Sequence, residues 1–429
     1  MKLVVIGGGL VGLGTAYAMQ RLLENTDVTL CEKEATLGAH QSTHNSGVLH
    51  AGLYYAPGSF KAALAVRGIR LMTAFARRHA IPHEICGKVV VAADDSEVAR
   101  LRALFDRGTA NGLRGLAWLG PDELREREPH VRSVGSIHVP EEGIIDYSCV
   151  VETLRAEIQS AGGTVMLDAP VTAAHRDGSE WRVTAGSAEL RADFVVNCAG
   201  LHSDRVARIF GARPATRIVP FRGDYFTLAR PELVRHLVYP VPDPTFPFLG
   251  VHFTRMIGGG VECGPTAVLS LNREGYRPNS VRVRDAIDAV TFPGLWRFVA
   301  RHPGATWREM RRARSPHLLL DSLRRLVPSV TLEDLKPGIA GVRAQAMHPN
   351  GTLVQDFDFV SGPAVLHVLN APSPGATASL AIGEEITRRV ARQCGARPRR
   401  DHLDLLGARD STRGHGGVAK LVRRAPDGP

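Results

Sequence analysis

The chain has 429 residues, 44% of them hydrophobic, with a formal net charge of +10 and a mean hydropathy of −0.07. At about 100–200 residues per domain this length predicts two or three domains. No run approaches the roughly 18 consecutive apolar residues of a membrane-spanning helix, and the basic balance favours anionic partners.

One positive charge precedes a short apolar run at the amino end, and Gly7-Gly8-Gly9 stops that run, so it reads as a buried strand and not as a signal peptide. Residues 2–6 read as a strand, 7–14 as a glycine-rich turn, 15–23 as a helix and 28–30 as a second strand. That is a βαβ unit, and it predicts a parallel sheet. A loop of high polar density spans 38–59, and 60–79 has helical spacing through Leu64, Ile69, Leu71 and Met72. A strand is expected at 88–92, then helices over 98–111 and 144–161, the latter entered through Asp146-Tyr147-Ser148. Strands follow at 164–167, 181–184 and 193–197. From Pro220 to Pro337 strand-like pieces alternate with Pro-rich turns such as 239–244, and an Arg-rich helical stretch covers 305–326. From 338 to 393 the pattern returns to strand, Gly-rich loop and helix. The order predicts a discontinuous cofactor domain (1–80, 144–215 and 338–395) with a substrate domain inserted (81–143 and 216–337).

The six cysteines include no CxxC pair, so the chain reads as a cytoplasmic protein with reduced thiols and no metal site. Residues 396–429 read as a flexible basic tail: from Arg397 onward there are eight Lys/Arg against four Asp/Glu. Weak peripheral attachment to an anionic membrane, at the inner face of the cell membrane, is the sharper role for it. Nucleic-acid binding is not expected, because basic residues are not interleaved with aromatics.

Gly7, Gly9 and Gly12 form G-x-G-x-x-G directly after a strand and at the opening of a helix, with Glu32 closing the next strand. Gly7 permits the turn, Gly9 admits a pyrophosphate against the backbone, and Gly12 allows close helix–strand packing. Leu10 and Val11 supply the first-turn N–H groups that meet phosphate. Glu32, with Lys33 beside it, faces the adenosine ribose and disfavours a 2′-phosphate. Two later segments select FAD over NAD: the strand 194–200, ending in Ala199 and Gly200, and the small-residue loop within 366–380. The fold class expected is therefore α/β, a Rossmann-like FAD-binding domain with an inserted α+β substrate domain built on a mixed sheet.

The stretches HQSTHNSGVLHAGLYYAPGS (40–59), FLGVHFTR (248–255), GVRAQ (341–345) and LNAPSPGATASLAIG (369–383) resemble the L-2-hydroxyglutarate dehydrogenase/oxidase family of D-amino-acid-oxidase-like FAD enzymes. The resemblance covers residues 1–393. Gly14, where Ala is frequent, and Cys31 before Glu32 are small departures. The resemblance implies FAD-dependent oxidation of L-2-hydroxyglutarate, a small dicarboxylate, to 2-oxoglutarate, with electrons passed to oxygen or a quinone.

Arg343 is the expected clamp for the substrate's α-carboxylate, since a guanidinium matches it bidentately. It stands between a Pro337-Gly338 break and a polar segment. His50 and His252 are rival bases for the hydroxyl proton. Arg255 should face away from His252. Tyr54, Tyr55 and Lys61 are candidates for the distal carboxylate, with Ser373 also on the substrate. Thr43, Asn45, Ser46 and Gly47 lie in the loop expected along the flavin. Pro374, Gly375, Ala376 and Thr377 begin a helix whose N-terminus can face the pyrimidine ring. Val171 is placed against adenine. No G-x-S-x-G elbow or H-E-x-x-H helix occurs. The alternatives are a flavin oxidase of amino acids or secondary amines on the same fold, and a regulator without turnover.

Overall fold

The computed structural model describes residues 1–243, 249–397, 399 and 405. A six-stranded sheet takes its strands from three distant parts of the chain, in the order Asp358–Gly362, Val365–Asn370, Phe194–Asn197, Lys2–Ile6, Asp27–Cys31, Thr164–Met166. All its pairings are parallel except that of Asp358–Gly362. Phe194–Asn197 and Val365–Asn370 are buried throughout, as expected for parallel strands covered on both faces.

Helix Leu10–Leu22 and the long helix Ser379–Cys394 cross on this sheet. At the crossing Gly14 and Gly383 leave no room for side chains. A Cβ on Gly14 would stand 2.6 Å from the Ser379 carbonyl oxygen, and one on Gly383 would meet Gly14 O. The departure at Gly14 thus lets two helices touch backbone to backbone. The same packing explains why the first helix starts at Leu10 and not at residue 15: its glycines are inside the helix.

A nine-stranded mixed sheet forms the second layer system, in the order Val268–Leu269, Arg217–Leu228, Val261–Gly264, His252–Arg255, Leu237–Pro240, Lys88–Ala92, Gly135–Val139, Ala117–Leu119, with Leu335–Met347 also on Arg217–Leu228. Only Leu237–Pro240 and Lys88–Ala92 run parallel. Leu319, Leu320 and Leu323 of helix Pro316–Arg324 close a core over one face, against Val89, Val91 and Phe253. The α/β class with a mixed second sheet agrees with the sequence pattern.

Several elements differ from that pattern. Ile144 and Ile145 belong to a strand, Gly143–Ile145, in a small sheet with Val48–Leu49 and His83–Glu84. The helix there starts at Tyr147, because the Asp146 side chain accepts from Ser148 N (2.8 Å) and Cys149 N (3.1 Å) and caps it. The helix read as 98–111 starts earlier, at Asp95, capped by Asp94. The stretch 305–326 is two helices, Pro303–Arg312 and Pro316–Arg324, preceded by Val283–Val290 and Pro293–Arg301, which the pattern did not reveal. Pro337-Gly338 does not break its strand; a register shift opposite, between Asp224 and Phe226, absorbs it. Residues 373–378 form turns, and the helix expected there begins at Ser379.

Most of the expected basic tail lies outside the described residues. Its described members dock: Arg399 N donates to Leu22 O (2.8 Å), and Leu405 is buried in the main core.

Candidate active site

A cavity of about 1580 Å³ runs from the glycine turn to the mixed sheet. At its first end Gly7 adopts φ +108°, and a Cβ there would stand 2.5 Å from the Cys198 carbonyl oxygen. Gly9 caps helix Leu10–Leu22 without a side-chain acceptor, and the first turn carries no acidic residue, so this N-terminus is open to an anion. Ser42 Oγ takes the Leu10 N–H at 2.9 Å. Leu10 and Val11 line the cavity, whereas Gly12 does not; its missing Cβ avoids the Gly7 carbonyl, as its packing role requires.

Glu32 lines the cavity while its carboxylate accepts from Gly8 N (2.6 Å) and Glu34 N (2.9 Å), which fixes it at the rim. Lys33 is drawn into a network with Glu34 and with Glu274 (2.7 Å); His202 also bonds Glu274 at 2.7 Å. Glu34, His40 and Glu274 bring ligand atoms within 4.8 Å of one another. The Lys33 ammonium already bonds both carboxylates and supplies the charge a cation would bring. Val171, Ala199 and Gly200 line the same end.

Along the middle, Asn45 and Ser46 line the wall. The Asn45 amide donates to Gln41 O and Ser42 O and accepts from Gly47 N, each at 2.9 Å, so it shapes the loop. Thr43 and Gly47 are off the wall; the Thr43 hydroxyl donates to Gly38 O at 2.8 Å, and Gly47 turns the chain at φ +68°. Pro374, Gly375, Ala376 and Thr377 line the opposite side, and Thr377 Oγ1 accepts the His50 N–H at 3.2 Å.

At the far end the cavity gathers His50, Tyr54, Tyr55, Lys61, His252, Arg343 and Ser373. Arg343 reaches it from strand Leu335–Met347, opposite Phe221. Tyr225, on the same paired strand, hydrogen-bonds Arg343 and Ser46. Lys61 Nζ lies 4.7 Å from the centre of the Tyr55 ring, and burial lowers its pKa to about 8 against the pull of Asp356. Tyr55 hydrogen-bonds Ser373.

The two histidines differ. His252 Nδ1 is engaged with Gly250 O at 2.9 Å, its ring stacks on Tyr239 at 4.0 Å, and burial pushes its pKa down to about 3. His50 keeps a fifth of its side chain exposed. Its pKa is also lowered, by burial and then by Lys88, but Glu142 opposes both. Arg255 points away and pairs with Glu84 at 2.8 Å. Lys88, Glu142, Tyr225 and Tyr239 escaped the sequence reading. A lysine heading the wholly buried strand Lys88–Ala92 was the one signal available.

A family model described as FAD dependent oxidoreductase (DAO) matches residues 2–389. The L-2-hydroxyglutarate dehydrogenase of Escherichia coli (strain K12) is 42% identical over 391 residues, 90% of this chain and 92% of that one. The mitochondrial L-2-hydroxyglutarate dehydrogenase of Homo sapiens is 40% identical over 409 residues, 90% of this chain and 88% of that one. This chain is an FAD-dependent oxidoreductase of the L-2-hydroxyglutarate dehydrogenase family. Among solved structures, FAD-bound L-alpha-glycerophosphate oxidase from Mycoplasma pneumoniae superposes with a TM-score of 0.75 at 22% identity, covering 95% of this chain and 97% of that one. Glycine oxidase from Geobacillus kaustophilus does so with 0.68 at 18%, covering 91% and 94%. At these identities the likeness is one of fold.

The residues of this FAD-dependent oxidoreductase fit its cofactor. The helix N-terminus, which carries no acidic residue in its first turn and whose Leu10 N–H is held by Ser42 Oγ, and the cradle that a Cβ at Gly7 would fill suit a pyrophosphate. Glu32 suits ribose hydroxyls, and the cavity continues past them far enough for a second ring system.

Proposed function

We propose that the chain oxidises L-2-hydroxyglutarate to 2-oxoglutarate. The observation that carries this, beside the relatives' names, is a pair of cations at one end of the cavity, Arg343 and Lys61, with His50 in the same wall. Two carboxylates need two such anchors. Arg343, steadied by Tyr225, holds the α-carboxylate. Lys61 and Tyr55 hold the distal one. His50, neutral near pH 7 because burial and Lys88 depress it, takes the hydroxyl proton. His252, at about 3, is too weak a base for that task. Bound FAD supplies the hydride acceptor, at flavin N5. The relatives and the second cation favour this over an amino-acid or secondary-amine oxidase. The test is anaerobic mixing of the yellow protein with L-2-hydroxyglutarate, glycine, sarcosine and glycerol 3-phosphate. Bleaching of the flavin by the first alone is expected; no bleaching by it would end this reading.

For the electron acceptor, the reading is a quinone reached by peripheral contact with an anionic membrane from the cytoplasmic side. No helix among the described residues is long and apolar enough to cross a membrane. Helix Val283–Val290 supports contact instead. It is held from inside by charge: Asp285 bonds Arg205 at 2.6 Å and accepts from Arg273 N at 2.9 Å. Val283, Ile287 and Val290, at helical spacing, face outward. Trp296 and Trp307 follow at 59% and 60% exposure, with Arg301, Arg308 and Arg311 exposed nearby in sequence. Exposed tryptophan with arginine is the composition of an interfacial surface. Co-sedimentation with phosphatidylglycerol vesicles but not phosphatidylcholine, and faster reoxidation by a quinone analogue than by oxygen, are expected.

A further inference from the structure

Behind His50 lies a buried pair of opposite charges, Lys88 and Glu142. The Lys88 and Glu142 side chains are 0% and 1% exposed and form an ion pair. Glu142 Oε1 accepts the Ala51 N–H at 3.1 Å, and its Oε2 stands 3.6 Å from His50 Nδ1. Lys88 Nζ is 3.5 Å from the same nitrogen and lies over the rings of Tyr239 (4.2 Å) and Tyr54 (5.2 Å). Taking two charges out of water is costly, and an apolar pair of equal volume would stabilise the fold at least as well. Stability therefore gives no reason for this pair; its placement on one titratable ring does.

We propose that Glu142 is the positioning carboxylate of His50, and that Lys88 keeps Glu142 ionised and tempers the basicity of the imidazole. This rests on His50 being the base. With Nδ1–H directed at Glu142, the lone pair of Nε2 is the one offered to the cavity. When Nε2 takes the hydroxyl proton, the imidazolium that forms has an anion against its other nitrogen. The other groups facing His50 are Lys61, His252, Tyr54 and Tyr239. Among them and Lys88, Glu142 is the single source of negative charge. Burial raises the Glu142 carboxyl, but Lys88 and His50 outweigh it and bring it down to about 2, so it is ionised at every working pH.

The two charges act on His50 with opposite signs, and this makes the test. The measurement is the pH dependence of anaerobic flavin reduction in holoenzyme. Glu142→Gln removes an anion, so the acid limb of the profile should move to lower pH while the plateau falls on the order of 10²-fold. Lys88→Met removes a cation, so the limb should move to higher pH. Glu142→Asp, which keeps the charge, should recover part of the rate. If both substitutions slow reduction without displacing the limb, or displace it the same way, the pair is mere packing and the proposal is overturned. His50→Gln separates this from the underlying reading. Reduction surviving within tenfold in that variant refutes the base itself; its loss, beside an unmoved limb in Glu142→Gln, refutes the positioning role alone. Should Lys88→Met fail to take up flavin, the charge-free double variant Lys88→Met/Glu142→Gln decides: a low plateau supports the proposal, and wild-type reduction overturns it.

Discussion

The two ends of the cavity are built on different principles. The nucleotide end is made mostly of backbone: glycines, a helix N-terminus with no acidic residue in its first turn, and a carboxylate tied down by two N–H groups. The substrate end is made of side-chain charge from four separate stretches of chain: half-buried Arg343 and Lys61 on the cavity wall, and the fully buried Lys88 and Glu142 behind His50. Backbone recognition is local and tolerates no added atom. Charge recognition is long-range and graded, because each group's effect depends on its distance from the others and on its loss of water. Substitutions at the two ends should therefore fail in different ways.

The sharpest break is Gly12→Ala. Its Cβ would meet the Gly7 carbonyl oxygen, a backbone atom that cannot rotate aside. Overpacking of this kind costs about 3 kcal/mol, so FAD affinity should fall on the order of 10²-fold. The purified protein should lose its visible flavin absorbance on dilution. Retention of stoichiometric flavin would mean that the turn is not rigid, and the contrast between the ends would lapse.

Lys61→Met is the graded counterpart. Loss of one anchor for a remote carboxylate should raise KM about 10- to 100-fold and leave flavin content unchanged. The wild type should show the same dependence through pH. Burial brings Lys61 to about 8, so its cation is present below that value and lost as pH rises through it. kcat/KM for the dicarboxylate should fall across that range in the wild type and stay flat in Lys61→Met. A falling limb in the variant would assign that ionisation elsewhere.

The same division governs what the sequence disclosed. Gly7, Gly9, Gly12 and Glu32 lie within one βαβ unit, and their spacing is itself the signature. Arg343 and His50 lie in stretches that carry the family resemblance, Lys61 was singled out as a donor for a distal carboxylate just after one of them, and all three line the cavity. Lys88 and Glu142 were not found, because nothing local links position 88 to 142. They meet only through pairing of Lys88–Ala92 with Gly135–Val139 and the turn that follows. Helix Val283–Val290 was missed for a related reason. Its large apolar residues Val283, Ile287 and Val290 face outward while Asp285 and the small Ala289 face in, so its periodicity is inverted with respect to an ordinary core-facing helix. Ile144 and Ile145 were assigned to the helix although its entry was read at Asp146-Tyr147-Ser148; two β-branched residues before that cap belong to a strand.

That cap offers the mildest test of the comparison, and it bears on both ends at once. Helix Tyr147–Ser160 stands between them: its first residue, Tyr147, donates to Val48 O at 3.1 Å and contacts Thr377 Oγ1 at 3.0 Å on the cavity wall. Asp146→Ala removes the acceptor for two N–H groups, which costs about 1 kcal/mol, and Tm should fall by about 2–4 °C. Tyr147 is anchored by its own hydroxyl and not by the cap. Flavin content, KM and the pH profile should therefore stay at wild-type values while the melting temperature drops. A change in KM alongside the small loss of Tm would show that the wall at Thr377 moves with the helix. The charged end would then depend on local backbone as strictly as the glycine end does.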